Sequence, residues 1–209
     1  TVITTHLTEL IRDNMSELLS YVETQNLLDE LPNEHQKLVG EVVPNQISVG
    51  GIQRVLQNLL NERVSIRDLP TILEGISEAC AFTRNVTQLT EHVRSRLARQ
   101  ISEQNSTEDD FIPLVTLSAE WEQIFSDSIL DQGEDKQLSM APSQLQRFIG
   151  AVRTTLDELA DKEDPPVVLT SPTARPFVRS IIERFRPATS IMSQNELHPK
   201  AKIKTLGQI

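Results

Sequence analysis

Aromatic side chains are scarce, with six Phe, one Tyr and one Trp in 209 residues. Base-stacking sheets and aromatic ligand cages draw on such rings, so the composition argues against an RNA-binding surface and leaves the core to Leu, Ile and Val. Cysteine occurs once, at Cys80, which excludes an intrachain disulfide and fits a reducing compartment. Its neighbours Ile76, Ala79, Ala81 and Phe82 mark it as a buried filler, with no cysteine-hydrolase signature around it. No apolar run approaches the roughly 20 residues that span a bilayer. The longest are short pieces such as Pro165–Leu169, and no signal-peptide pattern opens the chain. A start at Thr1 is expected of a segment excised from something longer. The four histidines, His6, His35, His92 and His198, keep no metal-ligand spacing, and Gly50-Gly51 is followed by neither Lys-Ser nor Lys-Thr. No metal and no cofactor is therefore expected.

What is present is acid and helical periodicity. Thirty acidic against twenty basic side chains give a net charge of -10, a field that repels nucleic acid and anionic lipid. At 38% hydrophobic and 24% charged the chain is in the globular range, enough for one large or two small domains.

Through the first half, apolar residues recur at three and four, which predicts a bundle of amphipathic helices. Val2, Ile3, Leu7, Leu10, Ile11, Met15, Leu18 and Leu19 define the first, with a break near Asn14. Short helices ending at Pro32 and before Pro44 follow. Ser48 is the expected N-cap of the helix through Val49, Ile52, Val55, Leu56, Leu59 and Leu60. Pro70 falls in the first turn of the next helix, where its missing N–H costs nothing. A sixth helix, capped by Asn85, is expected to run from Val86 to Ile101 with Arg94, Arg96 and Arg99 outward.

Residues 102–110 contain no apolar side chain and read as a linker. The expected division is an all-α subdomain at 1–104 and an α/β subdomain at 105–209 with a small, largely parallel sheet. In the latter, Phe111–Leu117 reads as a strand and Ser118 as the cap of a helix through Trp121 and Phe125. Residues 131–140 read as a mobile polar stretch. A long helix over Leu145–Leu159, a doubly buried strand at Val167–Thr170, a helix from Phe177 to Phe185, a strand at Ser190–Met192 and a lysine-protected edge strand at Lys202–Leu206 complete it.

Candidate chemistry is thin. The carboxylate pairs Glu120/Glu122 and Asp157/Glu158 and the run Asp161, Glu163 and Asp164 read as solvated surface rather than as acid–base pairs. Arg175, Arg179, Arg184 and Arg186 are read as a solvated face with an Arg179–Glu183 helix pair, against the alternative of a grip on an acidic partner.

Several long motifs carry more weight: THLTEL at 5–10, VLQNLLNERVSIRDLPTILE at 55–74, TEHVRSRLARQI at 90–101, PPVVLTSPTARPFVRSIIERFRP at 165–187, and the endings NELHP and KIKTLGQI. Together they resemble, over essentially the whole chain, the export-gate proteins of flagellar and virulence type III secretion systems, in their flagellar branch. The resemblance implies that a multispan membrane region and further cytoplasmic subdomains lie upstream. The segment itself would then be cytoplasmic, at the bacterial inner membrane, and touch the membrane only through that upstream region. It implies self-assembly into a nonameric ring, docking of flagellar export chaperones with bound substrates and of soluble export components, and no ATPase or other enzyme activity. Thr5 matches a threonine of the family's chaperone-docking depression, whose other members lie upstream. In a ring of like-charged copies, subunit contacts are expected in the helical half through Arg63, Arg67 and Asp68, with a local cap or ion pair as the alternative for Arg67-Asp68. The competing readings are an acidic adaptor or a small hydrolase unrelated to secretion.

Overall fold

The computed structural model of the chain describes residues 1–209, with the backbone alone at 12 and 13. The polypeptide divides into two compact units, Thr1–Leu97 and Ala98–Ile209.

The first unit is helical: α1 (Val2–Asp13), α2 (Met15–Leu18), α3 (Tyr21–Asp29), α4 (Asn33–Val42), α5 (Val49–Asn61), α6 (Leu69–Ala79) and α7 (Val86–Arg96). Polar caps start α5 and α7 where the sequence placed them. Ser48 Oγ accepts from Gly51 N at 3.0 Å and Asn85 Oδ1 from Gln88 N at 3.1 Å, each satisfying an otherwise orphaned first-turn amide. The core gathers on α5, where Ile52, Val55, Leu56 and Leu59 are fully buried, together with Leu28, Ile72, Leu73, Ile76 and Val93. Gly75 lets α6 and α7 approach closely, since a Cβ there would lie 3.3 Å from Val93 Cα. Gln53 and Gln57 donate to Leu19 O at 3.0 and 3.2 Å, tying α5 to the α2–α3 joint.

The second unit contains α8 (Ala98–Gln104), β1 (Ile112–Thr116), α9 (Ala119–Ser128), β2 (Ile129–Gln132), β3 (Asp135–Leu138), α10 (Pro142–Glu158), β4 (Val167–Thr170), α11 (Arg175–Ile182), β5 (Ile191–Ser193), a 3-10 turn (Gln194–Glu196) and β6 (Ile203–Gln208). Four strands form a parallel sheet in the order β5-β4-β1-β6, with Leu114 opposite Val167, Val168 opposite Ile191 and Ile112 opposite Ile203. β6 is one edge and β5 the other, and Lys204 Nζ sits 5.3 Å from the Phe111 ring. Trp121 and Phe125 both pack edge-on against Phe148, with ring centroids 5.1 and 4.9 Å apart, and close the core over β1 and β4.

Several local expectations are corrected. The helix predicted to run from Val86 to Ile101 leaves helical geometry at Leu97 (φ -95°, ψ 18°) and resumes as α8, which takes in the first residues of the stretch read as linker. Ser102 is buried, its hydroxyl donating to Glu196 O and accepting from His198 N, both at 2.9 Å. Residues 131–140, read as a mobile polar stretch, supply part of an antiparallel hairpin of β2 and β3, turned at Gly133 with φ +71°. Arg94 is not outward: it is 3% exposed, with Nη1 3.6 Å from Glu62 Oε2. Arg175 is not solvated either, and Glu122 is half-buried and hydrogen-bonded. Arg175 is 1% exposed, and Glu122 accepts from Thr170 Oγ1 and Ser171 N at 2.8 and 3.1 Å.

Candidate functional site

The first unit presents two surfaces that bear on function. One is α1. Its residues Ile3, Leu7, Leu10 and Ile11 fall at helical spacing on one face, yet they stay 82, 56, 46 and 47% exposed. Met15, Leu18, Tyr21 and Val22 extend the uncovered apolar surface past Asn14. Scattered exposed apolar residues are ordinary, but a continuous stripe marks a face made to be covered. Thr5 lies on the same helix. At about 100° per residue it falls opposite the Ile3–Leu7–Leu10–Ile11 stripe, so one face of α1 is apolar and the other carries threonines and acid. Its hydroxyl donates to Thr1 O at 3.2 Å, a bond local to the first turn, and the side chain is exposed.

The second surface is the connector between α5 and α6, which brings Arg63, Arg67 and Asp68 together, all exposed. Arg63 ends α5 in the left-handed region, with φ 60°. Arg63 N donates to Leu60 O and Val64 N to Leu59 O, both at 2.9 Å, which is the Schellman arrangement. That position normally favours glycine, and here an arginine occupies it. Val64 is buried, as the residue after such a cap commonly is. Asp68 is the N-cap of α6, its two carboxylate oxygens accepting from Thr71 N at 3.3 Å and Thr71 Oγ1 at 2.7 Å. Arg67 N donates to Ser65 Oγ at 3.3 Å, leaving the Arg67 side chain exposed beside the cap.

The site residues read from the sequence thus fall on two elements, Thr5 on α1 and the other three on one short connector. The apolar face of α1 was missed as a surface because its periodicity is the same as that of a core helix. Only the absence of a neighbour distinguishes it.

The second unit holds titratable side chains in one cleft without a catalytic arrangement. A cleft of about 330 Å³ brings His198 near Ser102, Glu103 and Asp110. The groups do not converge. Ser102 is taken up by Glu196 and the His198 amide, Glu103 pairs with Arg99 at 3.2 Å, Asp110 faces Lys202 at 3.8 Å, and His198 Nδ1 accepts from Lys200 N at 3.2 Å. No nucleophile meets a base there. Cys80 is a buried free thiol, as its neighbours predicted. Among the described residues no helix is long and apolar enough to cross a membrane, and no group of three His, Cys, Asp or Glu could hold a metal ion.

Comparison with known proteins explains the motifs. The model of the FHIPEP family matches residues 1–202. The flagellar biosynthesis protein FlhA of Caulobacter vibrioides is 54% identical over 209 residues, covering 100% of this chain and 30% of that protein. The chain thus spans under a third of its relative's length. Among solved structures, the cryo-EM structure of nonameric EPEC SctV-C superposes with a TM-score of 0.86 at 28% identity, covering 99% of this chain and 62% of that one. The Chlamydia pneumoniae CdsV and CdsO protein complex gives a TM-score of 0.90 at 29% identity, covering 100% and 61%. With the family model matching nearly end to end and the same helical-then-α/β architecture in the solved neighbours, the chain belongs to the FHIPEP family.

Proposed function

We propose that this chain is a non-catalytic, ring-building and docking part of a type III export gate of the flagellar kind. It works on the cytoplasmic face of the bacterial inner membrane, with the membrane-spanning part in other segments of the full-length protein. The single observation that carries the docking role is α1, whose apolar face lies open while Thr5 faces the other way. A helix placed so is shared between two bodies: the stripe packs on one, and the polar face is left for a partner. In this reading Thr5 forms one wall of a depression that receives export chaperones with bound substrates, and an upstream subdomain forms the other.

Self-assembly draws support from the nonameric SctV-C relative, and a soluble export partner from the CdsV and CdsO complex. The ring contact uses the α5–α6 connector. Arg63 and Arg67 stand exposed next to a cap that fixes the backbone, which suits a charge-paired contact closed by tethering rather than by affinity.

The docking role is tested by isothermal calorimetry of a substrate-loaded flagellar chaperone against two polypeptides, this chain and one extended through the upstream subdomain. The extended form should bind and this chain should bind weakly or not at all. Thr5→Glu in the extended form should lower affinity at least about tenfold, or 1.4 kcal/mol, with unchanged helix content. Unchanged affinity would remove Thr5 from the site.

A further inference from the structure

In a parallel sheet every strand begins at the same end, so the loops entering β1, β4 and β5 are brought together there. In the second unit these loops and the last turn of α10 enclose a groove of about 650 Å³. Its floor is apolar: Pro165 is exposed and Pro166 half-buried, over the buried Pro113, Leu156, Leu159 and Val167. Its rim is acidic. Glu108, Glu163 and Asp164 line it against Lys162 and Arg186, and Arg186 is already held by Asp157.

The acid continues past the rim. Residues 103–110 carry Glu103, Glu108, Asp109 and Asp110 with no cation, and residues 157–164 carry Asp157, Glu158, Asp161, Glu163 and Asp164 with Lys162 alone. These two runs are far apart in sequence. They become neighbours because β1 and β4 pair in parallel, with Leu114 opposite Val167. Asp110 pairs with Lys202, and among the described residues Glu108, Glu163 and Asp164 have no cation within ion-pairing distance. Thr107, which also lines the groove, keeps its hydroxyl oxygen out of solvent with no hydrogen-bond partner. Gathering carboxylates costs electrostatic free energy, and that cost is recovered when a cation binds among them. An apolar floor within a charged rim is also the anatomy of a protein interface.

We propose that this groove is a docking site for a basic segment of a partner protein, one that sets an apolar side chain on the floor and lysines or arginines against Glu108, Glu163 and Asp164. It lies wholly in the second unit, and it does not depend on the export reading.

The test is fluorescence anisotropy on the intact chain with three short labelled peptides, alternating Lys with Leu, Lys with Ser, and Glu with Leu. The Lys/Leu peptide should bind, with the Lys/Ser peptide about tenfold weaker and the Glu/Leu peptide not binding. Glu108→Gln, Glu163→Gln and Asp164→Asn combined should weaken the Lys/Leu peptide at least about tenfold. Raising salt to about 1 M, where the screening length is ~3 Å, should do the same. The three positions sit on surface loops, and circular dichroism checks that the fold persists. Asp127→Asn with Asp131→Asn, elsewhere in the unit, should change nothing. Binding unaffected by the triple substitution, equal binding of the Glu/Leu peptide, or spermine binding as tightly as the Lys/Leu peptide would each overturn the proposal. The last would show a trap for counterions only.

Discussion

Replacing Glu196 by Gln should lower the melting temperature of the second unit by roughly 10–15 °C, because it strips the countercharge from a guanidinium that is 1% exposed. Arg175 Nε lies 3.5 Å from Glu196 Oε2, with the two side chains 2 and 1% exposed. The second carboxylate oxygen accepts from Ser193 N at 3.3 Å, and Arg175 Nη1 donates to Ile191 O at 2.9 Å. Removing one partner of such a pair leaves a buried charge uncompensated, a cost of about 3–5 kcal/mol. The retained bond to Ile191 O argues for the lower figure, about 3 kcal/mol. Trp121 is the chain's one tryptophan and belongs to the second unit's core, so its fluorescence reports the melting of that unit alone. Arg175→Met combined with Glu196→Leu removes both charges and should cost clearly less than the sum of the single changes, giving a coupling of about 2 kcal/mol or more. A shift under about 3 °C for Glu196→Gln, or additive single and double changes, would refute the claim that a buried charge pair holds α11 to the 3-10 turn.

Two smaller outcomes follow from the first unit. Arg63→Gly should stabilise it by about 1 kcal/mol by relieving a left-handed cap, while Arg63→Ala should give no such gain; thermal melts followed by far-UV circular dichroism separate the two. Ile3→Ser with Leu7→Ser should leave the melting temperature of this chain within about 2 °C, since both are exposed, but should destabilise a polypeptide extended through the upstream subdomain. Equal effects in both lengths would show that nothing upstream covers α1.

Most of the elements, and the family, were legible in the order of the residues. Apolar residues at three and four placed the helices, and Ser48, Asn85 and Ser118 began three of them because a side-chain oxygen at the N-cap is a local interaction that needs no tertiary partner. The doubly buried strand at Val167–Thr170 and the lysine-bearing edge at β6 were equally local. Long uncommon motifs identified the family because such runs do not recur by chance.

Tertiary structure decided what those elements face. Arg94 and Arg175 look in sequence like the arginines around them, and they are buried only because Glu62 and Glu196 arrive from distant segments to meet them. Polar residues 131–140 gave no strand signal, since cross-strand pairing can hold a hairpin that has little to bury. Conversely, the stripe on α1 has the pattern of a core helix and is left open. The acidic runs at 103–110 and 157–164 join into one rim only through the parallel pairing of β1 with β4. Periodicity encodes which side of an element is apolar, but whether that side is covered, and which charge meets which, depends on contacts between residues far apart in the chain.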